Sequence, residues 1–258
     1  MKKYNRFIWL ILIIGILSSG CDFVSVNGND AKPRLSMFIG VDISGSFVKS
    51  DYFDDSIEFL AQYIYSHLKG HGDLEIPNVL YVSSIGGANE NEPKTFYPIQ
   101  TFDNKSVEEI SNQLHDIFPK EILNPYTDYN AFFKQIALMV KNKNLVLRPL
   151  SIVMLSDGIP DVKKEGDTDY RSINFSPLER LTRSITVRLL YTNAVVGAKW
   201  QTKVKRKRIK LWTQDAEVMV SWKDKKILLP ETDYEKQDRF FAWIKDNVDF
   251  GVRARRVD

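Results

Sequence analysis

The chain of 258 residues is poor in the residues on which several kinds of chemistry depend. It has one cysteine, Cys21, so no disulfide forms within it and no thiolate cluster holds zinc. It has three histidines. His67 and His71 stand four apart at the end of an expected helix, but the Leu-Lys-Gly that follows His67 lacks the glutamate of a zinc-protease helix. No third ligand is apparent; they read as a solvated helix end, and His115 is isolated. No glycine-rich phosphate cradle, Ser-His-Asp set or catalytic carboxylate pair stands out, so the chain is not expected to be an enzyme. Charge of one sign is lacking too. Lys+Arg number 36 against 33 Asp+Glu, and three of the cations, Lys2, Lys3 and Arg6, lie in an N-terminal segment without an acid. Without that segment 33 face 33, so the basic pI near 8.7 points to no nucleic-acid partner.

The N-terminus holds one apolar run, residues 7–17, shorter than the roughly 20 residues that span a bilayer. With the cations before it and Ser18, Ser19 and Gly20 after it, the run fits a secretory signal. A lone Cys21 directly after these small residues resembles a bacterial lipobox, although the usual Leu three places before the Cys is Ser18 and Leu17 stands one place earlier. The resemblance implies cleavage before Cys21 and lipidation of it; the other reading is an uncleaved anchor with an incidental Cys. Asp22 resembles the inner-membrane retention signal of enterobacterial lipoproteins. The polar stretch 22–34 reads as a flexible tether of roughly 40 Å contour length. The expected organisation is a signal peptide over 1–20, a lipidated Cys and tether over 21–34, one domain over 35–250 and a basic tail over 251–258. The expected location is the extracytoplasmic or periplasmic face of a bacterial cell membrane.

Hydrophobic residues at 43% and charged residues at 27% describe a globular chain. The apolar run 35–41, ending at Asp42, predicts a buried parallel strand. Ser50 or Asp51 is placed to cap a helix with Phe53, Ile57, Leu60, Ala61, Ile64 and Leu68 on one side, ended by Gly70 and Gly72. Strands are predicted at 79–84, 150–155, 185–191 and 208–213, and a short edge strand at 95–102, interrupted by Pro98. Ser106 and Glu109 form a capping box before one helix, Thr127 precedes another, and Thr232 and Glu235 form a second box before a C-terminal helix. Strands alternating with helical patterns imply an α/β fold, a parallel sheet covered on both faces.

Three separated segments carry the candidate site: Asp42-Ile43-Ser44-Gly45-Ser46 after the first strand, Thr127-Asp128 before a helix, and Ser156-Asp157-Gly158 after a central strand. In an open α/β sheet, sites form outside the carboxyl ends of the strands. Two carboxylates and three hydroxyls are hard oxygen ligands that suit Mg²⁺ or Mn²⁺. Gly45 is expected to let the backbone bend so that Ser44 and Ser46 face one ion. Asp128 is expected to cap the helix that follows.

Asp42, Ser44, Ser46, Thr127 and Asp157 are where the sequence resembles the von Willebrand factor A (VWA) family and its metal-ion-dependent adhesion site (MIDAS), Asp-x-Ser-x-Ser, a distant Thr and a later Asp. The resemblance covers most of residues 35–250. It implies a doubly wound, mostly parallel sheet with helices on both faces, and a bound Mg²⁺ (or Mn²⁺ or Ca²⁺) that captures an Asp or Glu of a protein partner. Two other functions fit the same residues. One is a scaffold subunit of an envelope complex whose metal only orders the loops. The other is a metal-dependent hydrolase, against which stands the lack of a general base beside the site. The basic stretch 203–210 reads first as a solvated face and second as a contact for anionic lipid. The loop 158–182, with Asp161, Glu165, Asp167 and Asp169, lies beside the expected metal and is placed to shape partner choice.

Overall fold

The computed structural model describes residues 33–89, 91–121, 126–161, 163–164, 167–182 and 184–249. The chain divides into Met1–Lys32 and Pro33–Asp258. The signal segment, Cys21, the tether up to residue 32, Glu165 and the 251–258 tail lie outside the described residues. No helix among the described residues is long and apolar enough to cross a membrane.

The elements run in the order β1 Ser36–Val41, α1 Gly45–Val48, α2 Phe53–Lys69, β2 Val79–Ser84, β3 Gly86–Gly87, β4 Tyr97–Pro98, α3 Val107–Ile117, β5 Tyr126–Thr127, α4 Tyr129–Asn142 and β6 Leu150–Leu155. They continue with β7 Lys163–Lys164, β8 Asp167–Thr168, α5 Ser176–Glu179, β9 Ile185–Thr192, α6 Ala194–Lys203, β10 Ile209–Asp215, α7 Ala216–Met219 and α8 Asp238–Asn247. Six strands form one sheet in the order β10-β9-β6-β1-β2-β4. All of its pairings are parallel except β2 with β4. The chain thus starts in the middle, builds outward to β4, and returns to the other side of β1 to lay down β6, β9 and β10. This is the doubly wound order, with its switch point between β1 and β6.

Why β1 sits in the middle is visible in its side chains. All six residues are buried. Met37, Ile39 and Val41 pack into the core formed with α1, α2, α3, α7 and α8, while Phe38 packs into the core formed with α4, α5 and α6. A strand that alternates between two apolar layers has no face to give to water. Gly40 allows a close approach, since a Cβ there would meet the Phe132 ring at 2.6 Å and Ile85 at 2.7 Å. Among the described residues the buried members of the two cores lie within 35–248, inside the compact unit Pro33–Asp258.

Several local expectations hold and others change. Ser106 and Glu109 form the capping box of α3, and Gly70 ends α2 in the left-handed conformation. Neither Ser50 nor Asp51 caps α2: its N-cap is Tyr52, and the Ser50 hydroxyl donates instead to Phe47 O at 2.6 Å. The edge strand shrinks to two residues, Tyr97 and Pro98, followed by a 3₁₀ turn. The Thr232–Glu235 box does not form. Buried Gln237 donates to Leu229 O and Thr232 O and accepts from Leu229 N, which holds 229–237 as a folded turn, and α8 begins only at Asp238.

The largest correction concerns the histidines. His67 is buried, with Nδ1 against Glu75 O at 2.8 Å and Nε2 against the Asp249 carboxylate at 3.1 Å. His71 stacks on Phe241, with ring centroids 5.5 Å apart. The helix end is packed rather than solvated because the segment after α8 folds back over it. Asp249 also accepts from Tyr63 at 3.0 Å and pairs with Arg188 at 3.4 Å, and Arg188 in turn donates to Val248 O and Ser151.

Burial pushes the Asp249 carboxyl up, but Arg188, His67 and Tyr63 outweigh it and hold it down at about 2. A folded pKa below the ordinary value of 3.8 stabilises the protein above about pH 4, and that contribution is lost as pH falls toward 2. Asp249→Asn should destabilise the protein at pH 7 by about 3 kcal/mol or more, because the buried Arg188 guanidinium loses its counter-charge. In urea titrations the gap between wild type and variant should narrow by roughly 2 kcal/mol between pH 4 and pH 2.

Candidate metal centre

The parallel register of β1 on β6 places Val41 beside Leu155, so the next residues of the two strands, Asp42 and Ser156, emerge side by side at their carboxyl ends. Asp42 N donates to Leu155 O at 2.9 Å, which continues the ladder one step beyond β1. The Asp42 carboxylate is fully buried. Its Oδ1 accepts from Ser44 N at 2.9 Å and its Oδ2 accepts from the Ser156 hydroxyl at 2.5 Å. The Ser44 and Ser46 hydroxyls lie 3.2 Å apart, and Ser46 hydrogen-bonds Asp157. Asp157 Oδ1 also accepts from Ile159 N at 3.0 Å.

Thr127 arrives from another direction. The two-residue ladder of β3 with β5 pairs Thr127 with Gly86 and buries it. A side chain at Gly86 would meet Tyr126 O at 2.4 Å, so this approach requires glycine. Thr127 N donates to the Asp161 carboxylate, and Asp161 stands close enough to Asp157 to raise its pKa. Four of the five residues singled out in the sequence thus share one run of contacts, Asp42–Ser44–Ser46–Asp157, while Thr127 is held separately by Asp161, whose charge acts on Asp157. Asp128 caps α4, accepting from Ala131 N at 2.8 Å.

Two participants were not singled out. Ser156 donates to Asp42 and accepts from Gly158 N at 3.0 Å; the buried Tyr129 hydroxyl, 2.6 Å away, completes its partners. Burial, and then the charges of Asp42 and Asp157, hold the Tyr129 phenol well above its ordinary range, so it remains a donor. The signal for Ser156 was its place beside Asp157; the signal for Tyr129 was its place two residues after Thr127. Neither carries weight until the strand register is known.

The electrostatics of the centre are lopsided. Burial first, and the charge of Asp157 second, raise Asp42 from 3.8 to about 6, against hydrogen bonds from Ser156 and Ser44 that lower it. Asp157 is raised as well, chiefly by burial. Among the described residues no Lys, Arg or His pairs with either carboxylate. Nor does any group of three or more His, Cys, Asp or Glu gather there, so a cation would be held by two carboxylates supplemented by hydroxyls. Hard, mostly neutral oxygens around two uncompensated carboxylates fit a divalent cation such as Mg²⁺ or Mn²⁺.

Gly45 is not the hinge expected of it. It opens α1 without a positive φ, and a Cβ there meets nothing within 4 Å. The glycine that matters is Gly158, at φ 80, whose Cβ would lie 2.8 Å from Val196 and 2.9 Å from Leu189. Its carbonyl accepts from Trp200 Nε1 at 2.7 Å. Gly158→Ala should therefore cost about 1–3 kcal/mol in chemical denaturation, whereas Gly45→Ala should be neutral or slightly stabilising.

No protein-family model matches the chain, and no curated protein matches it. Among solved structures, 71 chains match. The pilus adhesin SpaC from Lactobacillus rhamnosus GG, in its open conformation, aligns at TM-score 0.49 and 9% identity over 75% of this chain and 29% of the adhesin, so the chain spans less than a third of that protein. The SpRpn10 VWA domain aligns at TM-score 0.39 and 13% identity over 71% of this chain and 89% of that one. The manganese-loaded Plasmodium vivax TRAP protein aligns at TM-score 0.41 and 14% identity over 73% of this chain and 71% of that one. None of the three reaches a TM-score of 0.5, and what each binds is a property of that protein alone.

Proposed function

We propose that the chain is a VWA-type binding module, tethered to a bacterial membrane through lipidated Cys21, whose Asp42, Ser44, Ser46, Thr127 and Asp157 hold one divalent cation. The observation that carries this reading is the pair of neighbouring carboxylates, Asp42 raised by burial and the charge of Asp157, Asp157 raised by burial and the charge of Asp161, with no cationic side chain paired to either among the described residues. A bound cation supplies the missing positive charge and a Lewis-acidic position for a partner's Asp or Glu. The protein's own residues orient that position. Ser156 and Tyr129 fix the Asp42 carboxylate from behind, while exposed Ser46 and half-exposed Asp157 leave the front of the centre open.

Binding rather than catalysis is proposed because the segments 42–46, 126–128 and 156–161 supply hydroxyls and acids as their polar side chains, with no histidine, lysine or cysteine among them. The three histidines lie on α2, in the turn after it and on α3, away from the segments 42–46, 126–128 and 156–161. Asp161 and exposed Ile159 and Tyr126 stand around the opening and would contact the partner.

Wild type should gain about 3 kcal/mol of stability in Mn²⁺ at a hundredfold excess over Kd, read as a rise in Tm that chelator reverses. Asp42→Asn should do the opposite in both arms: a higher Tm than wild type in chelator, because the buried charge is gone, and no response to Mn²⁺. A Mn²⁺ response that survives in Asp42→Asn overturns the metal centre. Capture of partners from native membranes should be lost in chelator and in Ser46→Ala. Capture that persists under both, with Mn²⁺ binding intact in wild type, would leave a metal that only orders the loops.

A further inference from the structure

The opposite end of the sheet, where β6, β9 and β10 begin, has a different character. Three loops are joined there into one face. Leu147 N donates to Leu181 O at 3.0 Å and Leu150 N to Ser184 O at 2.9 Å. The Glu179 carboxylate accepts from the backbone N–H groups of Lys207 at 2.5 Å and Arg208 at 3.1 Å. Residues 141–149, 179–182 and 203–210, which meet on this face, hold ten Lys and Arg against one acid, Glu179. Among the described residues none of the ten stands in an ion pair. Lys203, Lys205, Lys207 and Arg208 are exposed.

In the midst of this charge the chain pushes out apolar side chains. Leu147 is 74% exposed and Val146 42%. Leu147 also sits at φ 71, a left-handed conformation unfavourable for a leucine, with its backbone N–H bonded to Leu181 O and its side chain given to solvent. The acids of the neighbouring loop, Asp73 and Glu75, precede β2, on the far side of β1 from β6.

We propose that this face docks on an anionic lipid surface, with the basic loops against headgroup phosphates and Leu147 and Val146 inserted beneath them. Two observations select lipid over nucleic acid. The protruding side chains are aliphatic; among the described residues the one aromatic of the exposed large hydrophobics, Tyr126, lies beside Thr127 at the other end. A strand-binding groove stacks bases on aromatics, whereas a lipid surface takes aliphatic side chains below the phosphates. The chain also enters β1 at this end, where Ser36 N donates to Pro149 O at 2.9 Å. Docked this way, the carboxyl ends of the strands, with Asp42 and Asp157, point away from the membrane. The proposal does not depend on a metal at that centre.

Residues 33–258 contain both cores and suit vesicle co-sedimentation. Partition onto vesicles with 30% phosphatidylglycerol should exceed that onto pure phosphatidylcholine by at least tenfold at low salt, and fall by at least tenfold in the double variant Lys205→Glu/Lys207→Glu. Leu147→Asn should bind several-fold more weakly at unchanged or higher Tm, because asparagine tolerates the left-handed backbone and the leucine is exposed. In the full chain reconstituted in the same anionic vesicles, amide exchange over 143–149 should slow relative to neutral vesicles. Equal partition onto neutral and anionic vesicles overturns the proposal. So does anionic binding indifferent to Leu147→Asn, or duplex DNA bound as tightly as the vesicles, which would mark a general polyanion surface.

Discussion

Two carboxylates brought together where, among the described residues, no lysine or arginine pairs with them set the terms for the rest of this structure. Asp42 and Asp157 follow β1 and β6, and the register of those two strands alone decides that they meet. Around them the protein invests in neutral donors. Ser156 and Ser44 N hold Asp42, Ser46 and Ile159 N hold Asp157, and Tyr129 closes the back of the network. Such donors soften the effects of burial and of the Asp157 charge but do not cancel them, which is why Asp42 remains raised to about 6. A buried Asp42 beside a half-exposed Asp157, maintained in this way, fits the proposed seat for a cation.

The two halves of the sheet support this seat differently. The central strands β1 and β6 are buried along their whole length and form a rigid floor. The loops above them are pinned by polar contacts. Lys94 reaches Gly86 O at 2.7 Å, Asn91 N reaches Asp128 at 3.1 Å, and Gln135 bridges the 92–94 turn to α4. At the C-terminal side, Arg188 and Asp249 fasten the last helix to the sheet, and a second buried acid, Asp55, accepts from Tyr191 and Trp222 and pairs with Lys223. Asp55 and Asp249 have cationic partners; among the described residues Asp42 and Asp157 do not. That contrast is what motivates the proposed role of the second pair.

Much of the architecture was legible because it is local. The apolar runs, the Ser106–Glu109 box, Gly70 and the Asp128 cap each depend on residues within a few positions of one another, and each stands in the structure as expected. What misled was local pattern in competition with distant contacts. His67 looked like a helix end in water until Asp249, 182 residues away, covered it. Thr232 and Glu235 had the spacing of a cap, but Gln237 took the backbone groups of that turn for itself. Gly45 looked like a hinge, and the strain fell on Gly158 instead.

From its sequence alone, the molecule's residue types and their order along the chain were settled: an α/β pattern and hard-oxygen side chains at three separated points. The tertiary structure alone decided which of those oxygens face one another, that Ser156 and Tyr129 stand behind Asp42, and that the basic loops lie at the other end beside an exposed leucine. The reason is that hydrogen-bond capacity belongs to a residue wherever it sits, whereas desolvation and charge repulsion belong to pairs. Pairs separated by more than a hundred residues exist only once strand register has brought them together.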